Sequence, residues 1–225
     1  MEKLAINLNK INTDIRRACE ISGRDSAGVR IVAATKYADI EQINSLIELG
    51  ITDLGENKAD DLVSKSKKVN GKPVWHFFGH LQSNKIKKVV PIAQYIHSVD
   101  NIDTLYKIND FAKSIGKIQK VLIEINIADE ETKFGINKED LNKFIMNSVK
   151  YVNIEVCGLM TMAPYTDNTE LIRNVFKNLG STLRDLNDSF KKLNLSELSM
   201  GMSNDYMIAI EEGATMVRIG SAIFN

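Results

Sequence analysis

Short runs of apolar and β-branched residues alternate eight times with longer segments of helical period, and a chain patterned this way folds as strand-helix units around a parallel sheet. The runs are Val29 to Thr35, Ile51 to Leu54, Val74 to Phe78, Tyr95 to Ser98, Lys120 to Ile127, Ile154 to Met160, Leu198 to Met200 and Thr215 to Ile219. Between them apolar residues recur every three or four positions, as in Ile102, Leu105, Ile108, Phe111 and Ile115, or Leu171, Ile172, Val175, Phe176, Leu179, Leu183 and Leu186. Asp167, with Glu170 three residues on, predicts a capping box at the start of the second helix. An amphipathic helix carrying Leu4, Leu8, Ile11 and Ile15 precedes the first run, and the chain stops six residues after the last. That leading helix is expected to take the place of a missing eighth. An open doubly wound sheet has the same alternation, but eight units favour a (β/α)8 TIM barrel. No internal repeat or linker is visible, so residues 1–225 are read as a single domain.

Charge and composition restrict the partners. Lys+Arg and Asp+Glu are both 29, and no block of like charges forms a basic arm, which argues against nucleic acid. The N-terminal segment is charged and helix-periodic, without the apolar stretch of a signal peptide, and no run is long enough to span a bilayer. The sequence therefore predicts a cytoplasmic protein with no membrane partner. Cys19 and Cys157 have neither metal-ligand nor disulfide spacing and are expected to be buried apolar residues.

In a barrel the chemistry lies where strands end, and those positions are unusually polar here. Lys36 ends the first run, where an ammonium can be desolvated enough to attack a carbonyl, making it a candidate Schiff-base lysine. Gly220 and Ser221 end the last run, at the common phosphate site of this fold, and Ser203 after the seventh adds a hydroxyl. Arg218 shares a strand face with Gly220, so its guanidinium can reach a ring attached to that phosphate. An amine-reactive ring with a phosphate, met by lysine and arginine, describes pyridoxal 5'-phosphate (PLP).

The segments VAATK, LGENK, WHFFGHLQSNK, GLMTM, LSMGMSNDY and VRIGSAIF resemble the pyridoxal phosphate homeostasis protein family over nearly the whole chain. The same pattern is similar to the barrel domain of fold-type III PLP enzymes such as alanine racemase. The resemblance implies that Lys36 holds PLP as an internal aldimine, that Asn57 lies beside the ring, that Ser203, Gly220 and Ser221 bind the phosphate, and that Arg218 faces the pyridine nitrogen. Two departures stand out. Lys58 follows GEN where relatives often carry a bulkier residue, and Asn225 replaces the glycine of an IFG ending.

Arg218 cannot accept the proton that makes a PLP ring a strong electron sink, and no second domain supplies the tyrosine used by the racemases. A non-catalytic PLP carrier, a monomer or weak dimer that passes the cofactor to apo PLP-dependent enzymes, is the leading expectation. A racemase drawing its base from a neighbouring subunit and a Schiff-base aldolase without PLP remain as alternatives. Other polar residues receive structural readings. His80 and Gln82 lie in the loop after the third run, with no carboxylate that the sequence places beside the histidine; His76 and His97 fit no metal pattern. Lys133 reads as a loop lysine, Lys85, Lys87 and Lys88 as a helix face, and Met160, Met162, Met200, Met202 and Met207 as core filling near the strand ends.

Overall fold

The structure, a computed structural model, describes residues 1–127, 134–191 and 193–225. Its strands are β1 (Arg30–Ala34), β2 (Asp53–Glu56), β3 (Val74–Phe77), β4 (Tyr95–Val99), β5 (Gln119–Glu124), β6 (Ile154–Met160), β7 (Glu197–Ser199) and β8 (Met216–Ile219). All pair in parallel in chain order, and β8 closes on β1 from Arg30 opposite Met216 to Ala33 opposite Ile219. The helices are α1 (Glu2–Ser22), α2 (Ile40–Glu48), α3 (Ala59–Ser66), α4 (Ile86–Val89), α5 (Ile102–Ser114), α6 (Lys138–Ser148), α7 (Thr169–Ser189), α8 (Tyr206–Glu211) and α9 (Ser221–Phe224). This is the (β/α)8 barrel that the alternation predicts.

Strand alternation divides the core into two layers. Outward residues such as Ile31, Leu54, Phe77, Ile96, Val121, Ile123, Leu159 and Val217 join the helices' apolar stripes in one large cluster. On α7 the stripe is Ile172, Val175, Phe176, Leu179, Leu183 and Leu186, all buried, each contributing roughly 1.5–3 kcal/mol of transfer free energy. The barrel's interior holds a smaller apolar group, Val32, Phe78 and Met216. Polar side chains share that interior: His76, His97, Ser199 and Arg218 are all buried there among strands β3, β4, β7 and β8.

Several boundaries move from their sequence positions for physical reasons. β2 runs on through Gly55 and Glu56, past the expected end at Leu54, because both pair with β3, Gly55 opposite His76 and Glu56 opposite Phe77, and glycine at 55 leaves room for the Phe78 ring. β5 stops at Glu124, short of Ile127, because the Ile136 N–H bonds the Glu124 carbonyl. α7 is capped by Asn168, whose side chain accepts from the Leu171 N–H, so the predicted capping box on Asp167 does not form. The leading helix α1 buries Leu4, Leu8, Ile11 and Ile15 as expected. It does not replace an absent element, since α9 follows β8; it packs against the end of the chain, with Asn7 Nδ2 donating to the Ile223 carbonyl and Tyr206 Oη to Asp14. Cys19 and Cys157 are buried and free. Among the described residues no helix is long and apolar enough to cross a membrane.

Candidate functional site

A cavity of about 570 Å³ opens at the C-terminal ends of the strands and brings together Lys36, Ser203, Arg218, Gly220 and Ser221. Lys36 lies two residues past the end of β1 at Ala34, and its backbone is anchored by the residue before it. Thr35 Oγ1 donates to Glu56 Oε1 (2.6 Å), while Lys65 Nζ donates both to that oxygen (2.7 Å) and to the Thr35 carbonyl (2.6 Å). The Lys36 ammonium itself is not in the apolar setting expected of it. It is exposed at the cavity mouth, 4.8 Å from the centroid of the Tyr37 ring.

Ser203 is held so that its hydroxyl proton has one direction left. Its Oγ accepts from the Gly220 N–H (3.3 Å) and the Ala222 N–H (3.2 Å), which fills its lone pairs and leaves the O–H to donate into the cavity. Asp205 fixes the loop by accepting from the Met202 N–H (2.5 Å), and its burial raises its pKa. Gly220 is required by a close approach: a Cβ there would lie 3.0 Å from the Ala34 carbonyl oxygen and 3.3 Å from Ala34 Cβ.

Arg218 forms the cavity floor. One terminal nitrogen donates to Ser199 Oγ (2.6 Å) and the other to the Thr161 carbonyl (3.0 Å). Burial lowers its pKa to about 10, opposed by the negative charges of Glu124 and Asp205, so it stays cationic at neutral pH. Glu124, at the end of β5, is pushed the other way to about 7 by burial and by Asp100, against the pull of Arg218.

Comparison with known proteins assigns the chain. The alanine racemase N-terminal domain family matches residues 6–225. A pyridoxal phosphate homeostasis protein of Aquifex aeolicus is 36% identical over 221 residues, spanning 96% of this chain and 95% of the relative. The chain belongs to the pyridoxal phosphate homeostasis protein family. A second relative of that name, from Synechocystis, is 37% identical over 87% of this chain and 90% of its own. Among solved structures, PipY of Synechococcus elongatus with PLP bound superposes with a TM-score of 0.85 at 26% identity, covering 94% of this chain and all of that one (100%). An alanine racemase of Clostridium difficile shares the fold alone, with a TM-score of 0.79 at 17% identity over 100% of this chain and 59% of that one.

Some residues singled out in the family's motifs lie apart from the cavity. Asn57 is exposed in the loop after β2, packed over Gly79, and does not line the cavity. Lys58 is exposed at the start of α3, whereas Asn225 borders the cavity and bonds to Asn7. His80 does have a carboxylate neighbour, contrary to expectation: Asp100 after β4 lies 3.6 Å away, with Phe134 stacked on the imidazole at 4.4 Å. Gln82 caps a 3-10 turn, and Lys85 and Lys88 pair with Asp60. Lys133 lies outside the described residues. Met160 and Met200 fill the core, Met207 packs against it, and only Met202 of the five lines the cavity.

The largest omission from the sequence reading is the buried polar chain beneath Arg218. His97 Nδ1 lies 2.8 Å from Ser199 Oγ, and its Nε2 lies 2.8 Å from His76 Nδ1. His76 Nε2 lies 3.0 Å from Asp53 Oδ1. The period-two spacing of His76 and Phe78, and of Tyr95 and His97, put these side chains on one strand face and was the available signal.

Proposed function

We propose that this chain binds pyridoxal 5'-phosphate in the cavity beside Lys36 and acts in PLP homeostasis, holding the cofactor and releasing it to apo PLP-dependent enzymes without turning over amino acids itself. The observation that carries the reading is the convergence in one cavity of an accessible amine, a hydroxyl whose only free direction is to donate, and a buried permanent cation. This donor set fits a phosphorylated aldehyde. The PLP-bound PipY structure and the names of the relatives support the same assignment.

Bound there, PLP supplies an aldehyde that condenses with amines. Lys36 Nζ, at the mouth, is the attachment point. Ser203 Oγ–H and the Ser221 backbone N–H would hold the phosphate, with the Gly220 N–H orienting Ser203, and Arg218 would present the ring with a cation that has no proton-accepting atom. Two tyrosines border the cavity, but Tyr37 and Tyr165 are 88% and 96% exposed, so neither is held as an acid or base against a substrate. Exposure of Lys36 suits a carrier, because an incoming amine reaches it without a lid opening. Such a carrier would meet its acceptors in the cytoplasm.

Purified protein mixed with PLP is expected to turn yellow and to retain the colour's cofactor irreversibly after borohydride. It should also restore an apo PLP enzyme's activity, with racemisation and decarboxylation of common amino acids at background. Robust turnover of any amino acid sinks the carrier reading, and absence of the yellow band sinks PLP binding and revives the aldolase. Ser203→Ala is expected to weaken retention by roughly 1.5–3 kcal/mol, the range for a hydrogen bond to a charged group. Equilibrium titration checks this, and an unchanged affinity removes Ser203 from the site.

A further inference from the structure

Four hydrogen bonds join Arg218 to Asp53, across the inside of the barrel from the cavity floor to the N-terminal strand ends: Arg218 to Ser199 (2.6 Å), Ser199 to His97 (2.8 Å), His97 to His76 (2.8 Å) and His76 to Asp53 (3.0 Å). Their direction follows from donor arithmetic. Guanidinium only donates and carboxylate only accepts. Arg218 therefore donates to Ser199 Oγ, whose proton goes to His97 Nδ1. His97 then carries its proton on Nε2 and gives it to His76 Nδ1, and His76 gives its Nε2 proton to Asp53. Every link is satisfied with both imidazoles neutral. Burial, as the main cause, lowers the pKa of each histidine, and the positive charge of Arg218 and Arg30 adds to this at His97. The reverse direction requires a proton on Asp53, which lies 4.0 Å from the Arg30 guanidinium, or a doubly protonated His76, which its burial disfavours. Rings fix the chain from the side: Tyr95 stacks on His76 at 4.9 Å, and Phe78 meets His97 edge-on at 5.0 Å.

We propose that Ser199, His97, His76 and Asp53 are positioning residues for Arg218, a one-way hydrogen-bond chain that holds its guanidinium plane against the cofactor ring and ends on a carboxylate at the far end of the barrel. The inference rests on the placement of Arg218 beside the PLP ring. A carboxylate next to the ring nitrogen would hold a proton there. Here the nearest negative end of the chain is reached only through two neutral imidazoles, and mutual polarisation along the chain strengthens the first bond, at Arg218. The ring's electronic state is thus set by residues that never touch it.

The chain has three histidines, so ring nitrogens can be assigned by long-range nitrogen-proton NMR on the apo-protein, with exposed His80 as the internal control. His76 and His97 are expected to be neutral at pH 7 with protons on Nε2, and a proton on Nδ1 of either overturns the chain. Ser199→Ala should move the nitrogen resonances of His97 and also of His76, one link further on. In PLP-loaded protein it should shift the visible band and the pH at which that band titrates, and Ser199→Thr, which keeps the hydroxyl, should restore both. Expected apo resonances with an unmoved band in Ser199→Ala overturn the proposal if Arg218→Lys does shift the band. If Arg218→Lys leaves it unmoved as well, the placement of Arg218 beside the ring is what fails.

Discussion

Lys36→Ala is expected to abolish covalent attachment of PLP completely while leaving weaker, reversible binding and an intact barrel. A total loss follows from the proposed attachment at Lys36 Nζ, since no phosphate donor in the cavity can replace an amine. Reversible binding survives because Ser203, Gly220 and Ser221 are positioned by one another and by Asp205, none through Lys36. The fold should survive because the side chain is exposed, beside the Tyr37 ring, so the change in stability should stay within about 0.5 kcal/mol, as at other surface positions. Borohydride trapping followed by peptide mapping checks the result. A single adduct persisting at another lysine shows that Lys36 is the wrong residue, and Lys133 is then the first to test.

What the sequence made legible follows from what is local. Alternation of patterns specifies the barrel, and residues within a few positions of the strand ends, such as Lys36, Ser203 and Gly220, reach the rim by chain geometry alone. Arg218 could be placed on the face of Gly220 because alternation extends two residues reliably. The chain beneath it could not, since His97 and Ser199 are 102 positions apart and meet only when strands four and seven curve round one interior. The capping of α7 by Asn168 in place of Asp167 shows the opposite limit: adjacent Asx residues are chemically equivalent in sequence, and only the path of the loop decides between them. Lys36's environment was misjudged for a similar reason. Its preceding strand is buried, but the loop turns the side chain outward, and the residues that anchor it, Glu56 and Lys65, come from the next strand and helix.

Those anchors carry the second large effect. Glu56 is fully buried, and its Oε2 has no hydrogen-bond partner among the described residues, so the carboxylate depends on Thr35 and Lys65 at Oε1. Lys65→Met keeps the aliphatic volume and removes the cation, which leaves a desolvated charge and should destabilise the fold by about 3–5 kcal/mol. For a barrel of this size that lowers Tm by roughly 2–4 °C per kcal/mol. Adding Glu56→Gln in the same chain should recover much of the loss, because the amide is neutral and still accepts from Thr35. The Thr35 carbonyl also loses its donor in Lys65→Met, and it precedes Lys36 directly. Attachment of PLP at Lys36 should therefore slow even at temperatures where the variant is folded, and the double variant should regain stability without regaining the attachment rate. Chemical unfolding and stopped-flow mixing with PLP separate the two effects. A destabilisation below about 1 kcal/mol, the scale of an exposed ion pair, means the Glu56 carboxylate reaches water and does not hold the Lys36 loop.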